Sequence, residues 1–148
     1  MSTNVLKMIP TVPNYIPTTI ERQQARDLIV SRFPDVEVNL KIADEVLFVD
    51  PGANLKRVIC PICGSEIEIG WWQQAMDAAY QMKFTDLSIH APCCGAVSSL
   101  NDLQYDWPAG FAQFVIEIQN LKKDWDPAVV LSLERILGSS LREIWAYY

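Results

Sequence analysis

At 148 residues, half of them hydrophobic and a fifth charged, the chain has the length and balance of one folded globular domain that builds its core without staples. Its net charge of −6 opposes binding to a phosphate backbone, which depends on neutralising lysines and arginines, and suits a soluble cytoplasmic protein or one with a basic partner. Pro10, Pro13 and Pro17 interrupt the N-terminal stretch where a basic-then-apolar leader would lie, and no uncharged apolar run approaches the roughly 18 residues of a membrane span.

In chain order the pattern alternates between two periods. Val5 to Ile9 predicts a first short strand, followed by a proline-punctuated link through Pro17. Thr18 and Glu21 have the spacing of a capping box, in which each side chain satisfies a free amide at the helix start. Ala25, Leu28, Ile29 and Phe33 then fall on one helical face, and Pro34 stops the helix. Val36, Val38, Leu40 and Ile42 alternate with Glu37, Asn39 and Lys41, the pattern of a strand with one buried face. A second strand at Glu45 to Val49 is close enough to form a hairpin with it, and Pro51-Gly52 ends it.

Residues 55–100 form a zinc-ribbon-like segment with its own small elements. Lys56 to Ile59 leads into Cys60-Pro-Ile-Cys63-Gly64 and Glu66 to Ile69 leads out, two strands meeting at a turn. Trp72, Ala75, Met76, Ala79 and Tyr80 occupy one stripe, so Trp71 to Met82 is predicted to be an amphipathic helix. Trp71 and Trp72 cannot both face its core, which leaves one of them for packing against the ribbon or for a partner surface. Strand-like Leu87 to His90 returns the chain to Ala91-Pro92-Cys93-Cys94-Gly95.

The last third reads as strand, helix, strand. Ser99 and Asp102 have the spacing of a cap on a short helical turn, a simpler account of Asn101, Asp102 and Asp106 than an acidic site. Trp107-Pro108-Ala109-Gly110 is a rigid turn feeding the next strand, where Phe114, Ile116 and Ile118 alternate with Val115, Glu117 and Gln119. Asp126 as N-cap, Pro127 at the first helical position and Gly138 as stop bracket a helix with Val129, Leu133, Ile136 and Leu137 on one face. Leu141 to Tyr148 has the content of a closing strand. Together these elements predict an α+β class: a single domain over 1–148 with about three helices on an antiparallel-rich, split ferredoxin-like sheet, into which an elaborated zinc ribbon is inserted.

The four cysteines carry the chemistry. Tetrahedral zinc wants four thiolate or imidazole ligands, two from a tight turn at each end of the site. In the first turn Pro61 fixes one backbone angle, and Gly64 takes the left-handed conformation that closes it. The second is less regular, because Ala91 stands where the first cysteine of a regular turn belongs. Either Cys93 and Cys94 both bind, giving a set of Cys60, Cys63, Cys93 and Cys94, or His90 replaces one of them. A thioredoxin-like dithiol would open a helix at its first cysteine, and Gly64 with the strand-like residues after it argues against one. A disulfide framework needs an oxidising compartment, to which nothing in the sequence points.

Cys60-Pro-Ile-Cys-Gly, Trp71-Trp72-Gln-Gln-Ala-Met-Asp, Pro92-Cys-Cys-Gly and Ser99-Leu-Asn-Asp-Leu-Gln-Tyr-Asp-Trp-Pro-Ala-Gly-Phe111, in that order, resemble a family of small bacterial zinc-ribbon-containing proteins. The resemblance covers nearly the whole chain and implies a bacterial source and a soluble zinc-ribbon protein. It implies no activity.

Three functional classes follow. The leading one is a non-enzymatic protein-interaction module with a structural zinc, of which an immunity or antitoxin protein that blocks a basic toxin is a specific form; a homo-oligomer is compatible with it. The second is a zinc enzyme, disfavoured because a catalytic zinc keeps an open position with three protein ligands. The single histidine also excludes a two-histidine zinc-protease helix. The third is a nucleic-acid-binding ribbon, disfavoured because the only cations between Leu55 and Leu100 are Lys56, Arg57 and Lys83.

Overall fold

A computed structural model describes residues 4–121 and 124–148. Its elements run β1 (Asn4–Pro10), α1 (Thr19–Arg32), β2 (Glu37–Val49), β3 (Val58–Ile59), β4 (Glu66–Ile67), α2 (Ile69–Gln81), β5 (Ser88–His90), β6 (Val97–Ser99), β7 (Gln104–Tyr105), β8 (Gly110–Gln119), α3 (Pro127–Leu137) and β9 (Leu141–Tyr147). No helix among the described residues is long and apolar enough to cross a membrane.

The expected α+β class holds. Four strands form an antiparallel sheet in the order β2-β8-β1-β9. That is the order of a split β-α-β ferredoxin-like sheet. Alternation along β8 and β1 sends Phe114, Ile116, Ile118, Leu6 and Met8 into one core, where they meet Ala25 and Ile29 of α1 and Val129, Leu133 and Leu137 of α3. The helix ends follow local chemistry. Thr18 Oγ1 accepts from the Glu21 amide at 3.2 Å while Glu21 Oε1 accepts from the Thr18 amide at 2.8 Å, the reciprocal bonds of a capping box. Asp126 Oδ1 accepts from the Ala128 amide at 2.9 Å, and Gly138 closes α3 at φ 73°.

One expectation is corrected. The stretch from Val36 to Val49 does not fold into a hairpin; β2 runs through it as one strand paired with β8 along its length. The turn expected at Ala43-Asp44, between the two strands, is part of a bulge over 43–46: β2 advances from 42 to 47 while β8 advances only from 114 to 112. The run lacks the glycine or asparagine that a two-residue turn requires, and Gln113 Nε2 donates to the Ala43 carbonyl at 3.2 Å, tying the extra residues down.

Everything from residue 50 to 109 is inserted between β2 and β8, and Val49 lies opposite Gly110 on the ladder. The insertion holds a three-stranded sheet, β4-β3-β7, a two-stranded one, β5-β6, and α2. Its core gathers Val58, Ile67, Trp72, Phe84, Leu100, Leu103 and Tyr105. Phe111 of β8 reaches into that core, with ring centroids 5.2 Å from both Phe48 and Phe84. The polar tips there are paired as buried aromatics require: Trp72 Nε1 donates to Tyr105 Oη at 3.3 Å, and Tyr105 Oη donates to the Leu100 carbonyl at 2.6 Å. Burial pushes the Tyr105 hydroxyl up to about 12, so it stays a donor.

Candidate metal centre

Each cysteine pair sits in a turn whose backbone is dictated by its last residues. In the first, the Gly64 amide donates to the Cys60 carbonyl at 3.0 Å and the Cys60 amide to the Ser65 carbonyl at 2.9 Å. In the second, the Gly95 amide donates to the Ala91 carbonyl at 2.7 Å and the Ala91 amide to the Ala96 carbonyl at 2.9 Å. Gly64 and Gly95 lie at φ 76° and 72°. A Cβ on either would meet nothing within 4 Å, so the demand for glycine is the left-handed dihedral alone.

The two turns are therefore the same turn. Their hydrogen bonds equate Cys60 with Ala91, Ile62 with Cys93 and Cys63 with Cys94. The second turn lacks the buried first ligand and supplies a thiol from its tip instead. The irregularity legible in the sequence thus lies in which positions bear sulfur, and the backbone is regular in both.

Short strands bring the turns face to face. β3 and β4 flank the first and β5 and β6 the second. Cys60, Cys63, Cys93 and Cys94 place their sulfurs within 4.8 Å of one another, a group able to hold a metal ion. Cys60 is fully buried and the other three are exposed; all four are free thiols. Cys60 Sγ and Cys94 Sγ are 3.9 Å apart, and Cys63 Sγ and Cys93 Sγ 3.2 Å. A tetrahedron of sulfurs bound to zinc at about 2.3 Å has edges of about 3.8 Å, so the donor set fits such an ion with small adjustments. His90, the alternative ligand, lies outside the cluster: it is exposed on β5 and lines a cavity of about 270 Å³ beside Trp71, Ala75 and Met82.

The electrostatics divide the cluster by turn. The backbone amides of Cys63 and Ile62 aim at Cys60 and lower its thiol. The Ser65 hydroxyl, the contact with Cys93 and the Ser65 amide bring Cys63 down to about 6. Cys93 is driven up to about 12 by its bond to Cys63, burial and the charge next to it. Cys94 is also raised: the Ala96 amide opposes the shift, but burial and the neighbouring Cys60 and Cys63 outweigh it. Four sulfurs this close cannot all ionise unaided, so the first turn is biased toward thiolate and the second toward thiol, whose protons a cation must displace.

The remaining sequence candidates fall elsewhere. Asn101, Asp102 and Asp106 form no common site. Asp106 pairs with Arg57 at 3.3 Å and Asp102 is exposed, while Ser99 caps a short turn: its Oγ accepts from the Asn101 amide at 3.2 Å and its carbonyl from the Asp102 amide at 2.9 Å. Asn101 is buried at the joint between insertion and sheet. Its Oδ1 accepts from the Phe111 amide at 3.1 Å, its Nδ2 donates to the Thr11 carbonyl at 3.3 Å, and Arg142 Nη1 donates to its carbonyl at 3.0 Å and to the Ala109 carbonyl at 2.8 Å. No local pattern signals that role, because its partners lie as far as ninety positions away. Trp72 is the buried tryptophan of its pair, and Trp71 packs half-buried against the same core.

Cavities of about 610 Å³, between the β2 bulge and residues 83–88, and about 400 Å³, on the sheet beside Lys7 and Val115, include no cysteine. No family model matches the chain, and the comparisons with curated proteins and with solved structures likewise return no match.

Proposed function

We propose that Cys60, Cys63, Cys93 and Cys94 hold one zinc ion in a structural role, and that the protein works as a non-enzymatic module binding another protein. The observation that carries this reading is the convergence of four sulfurs within 4.8 Å at the facing ends of two small sheets. Four thiolates saturate a tetrahedral ion and leave no position for a substrate or an activated water. The ion's work is then to fasten two turns whose strands are too short to hold themselves.

The surface supports a partner of opposite charge. With a net charge of −6, the chain attracts a basic protein and repels nucleic acid, as an immunity or antitoxin protein facing a basic toxin must. The bulge residue Asp44 stands with Asp86 on the 610 Å³ cleft, where Glu45 is already paired with Lys83 at 3.3 Å, so the two aspartates are the groups left for basic side chains to dock against. The test has two parts. Elemental analysis of protein purified without added metal should give one zinc per chain, and a value near zero would refute the metal assignment. Recovery of the tagged protein from its native host should bring down a basic protein in a salt-sensitive complex; turnover of a small molecule that depends on the zinc would replace this reading with an enzymatic one.

A further inference from the structure

We infer that Cys63 and Cys93 are an oxidation site, at which hydrogen peroxide forms a disulfide and discharges the zinc; the inference rests on the zinc assignment above. Geometry selects the pair. Their sulfurs are 3.2 Å apart, closer than Cys60 and Cys94 at 3.9 Å, and they belong to opposite turns. Both residues are exposed, whereas Cys60 is fully buried and out of reach of a dissolved oxidant. Cys93 and Cys94 cannot pair with each other without distortion, since adjacent Cα atoms lie about 3.8 Å apart and disulfides want roughly 4.4 to 6.8 Å.

The shifted ligand position makes Cys93 the displaceable one. The place in its turn that matches buried Cys60 is taken by Ala91, 1% exposed. Cys93 sits instead at the tip, where the first turn carries Ile62, 56% exposed. A ligand on a turn's solvent side meets an oxidant before any enclosed ligand does.

The chemistry balances. One thiolate of the pair attacks a peroxide oxygen; a sulfur–oxygen bond forms, the oxygen–oxygen bond breaks and hydroxide leaves, giving a sulfenic acid. The second thiolate attacks that sulfur; the disulfide forms, the sulfur–oxygen bond breaks and a second hydroxide leaves. Two thiolates have lost two electrons, the peroxide has gained them, and two protons from solvent turn both hydroxides into water. Zinc is left with Cys60 and Cys94, half the ligands it needs, and dissociates. The disulfide joins the same two turns that the ion joined, so the inserted unit stays closed after the metal has gone.

The experiment treats the zinc-loaded full chain with hydrogen peroxide, follows zinc release with a colorimetric chelator and maps disulfides by mass spectrometry of peptides. The expected result is one zinc released per disulfide, a cross-linked peptide pair containing Cys63 and Cys93, retained amide protection in residues 58–67 and 88–99, and zinc uptake restored by dithiothreitol. Zinc held against excess peroxide, a disulfide that includes Cys60, or release accompanied only by sulfinic acid would overturn the inference. A reduced chain that never takes up zinc would instead overturn the metal assignment, and the peptide map would still report which thiols pair.

Discussion

The sheet and the insertion solve the same problem by different means. In the sheet, β8 is paired on both sides, to β2 and to β1, and its alternate residues fill one core with two capped helices. Backbone satisfaction and apolar burial come from the same long strands. In the insertion, no strand exceeds three residues, too few to be stable through ladder bonds alone. Order there comes from two glycine-closed turns, a knot of aromatic rings and the sulfur cluster. One half is specified by periodicity, the other by a few residues whose chemistry converges. The second kind of region should be far more sensitive to a single atom.

Replacing Cys60 with serine tests this most severely. Structural zinc binding supplies on the order of 10 kcal/mol in small metal domains. Losing the proposed zinc should cut amide protection over 58–67 and 88–99 by about a thousandfold or more, while β1, β8 and β9 keep theirs in the same hydrogen-exchange experiment. Uniform loss across the chain would mean the two halves are not separable in this way. Phe111→Ala acts on the seam: its side chain is fully buried between Phe48 and Phe84, so denaturant titration should show a loss of about 3–5 kcal/mol, with fluorescence and far-ultraviolet dichroism falling together.

Metal affinity should rise with pH, because Cys93, near 12, and Cys94, also raised, carry protons that the ion must displace, while Cys63, near 6, is already ionised. Between pH 7 and 8 competition with a chelator should show the apparent association constant rising by roughly 100-fold per unit or more, at least the two protons of Cys93 and Cys94 per ion. A slope of four would mean that the first turn offers no preformed thiolates. Thr18→Ala should have the smallest effect, about 1 kcal/mol from the lost capping bond, seen in the exchange of α1 and absent from residues 58–99.

Legibility in the sequence divided along the same line. The helices, their caps and the strands β1, β8 and β9 declared themselves because period and capping residues act over a few positions. The paired cysteines were legible for the same reason: ligand, proline and glycine fall within five residues. Two-residue strands such as Gln104-Tyr105 carry no period, and their pairing with Val58-Ile59 is decided by where the insertion's core lies. α2 starts at Ile69, two residues before the expected Trp71, and Glu68 ahead of it makes no side-chain capping bond that would mark the start. The hairpin expected before Val49 failed because Ala43-Asp44 interrupts the alternation as a turn would, while the partner that makes it a bulge, Gln113, is 70 positions away. Asn101 resembled a surface polar residue, and its buried partners come from three separate stretches of chain.

Val49 standing opposite Gly110 has a consequence for how the chain folds. Two neighbouring strands of a sheet usually meet across a connection of a few residues, and here that connection contains on the order of 60, whose closure costs more entropy than a tight turn. An insertion that folds first removes most of that cost by holding its own ends side by side. The inserted unit then acts on β2 and β8 as an oversized hairpin turn, and the last-synthesised half of the sheet docks onto a junction that is already closed. With the proposed zinc in place, folding speed, and not only local rigidity, would depend on how promptly the four sulfurs find that ion.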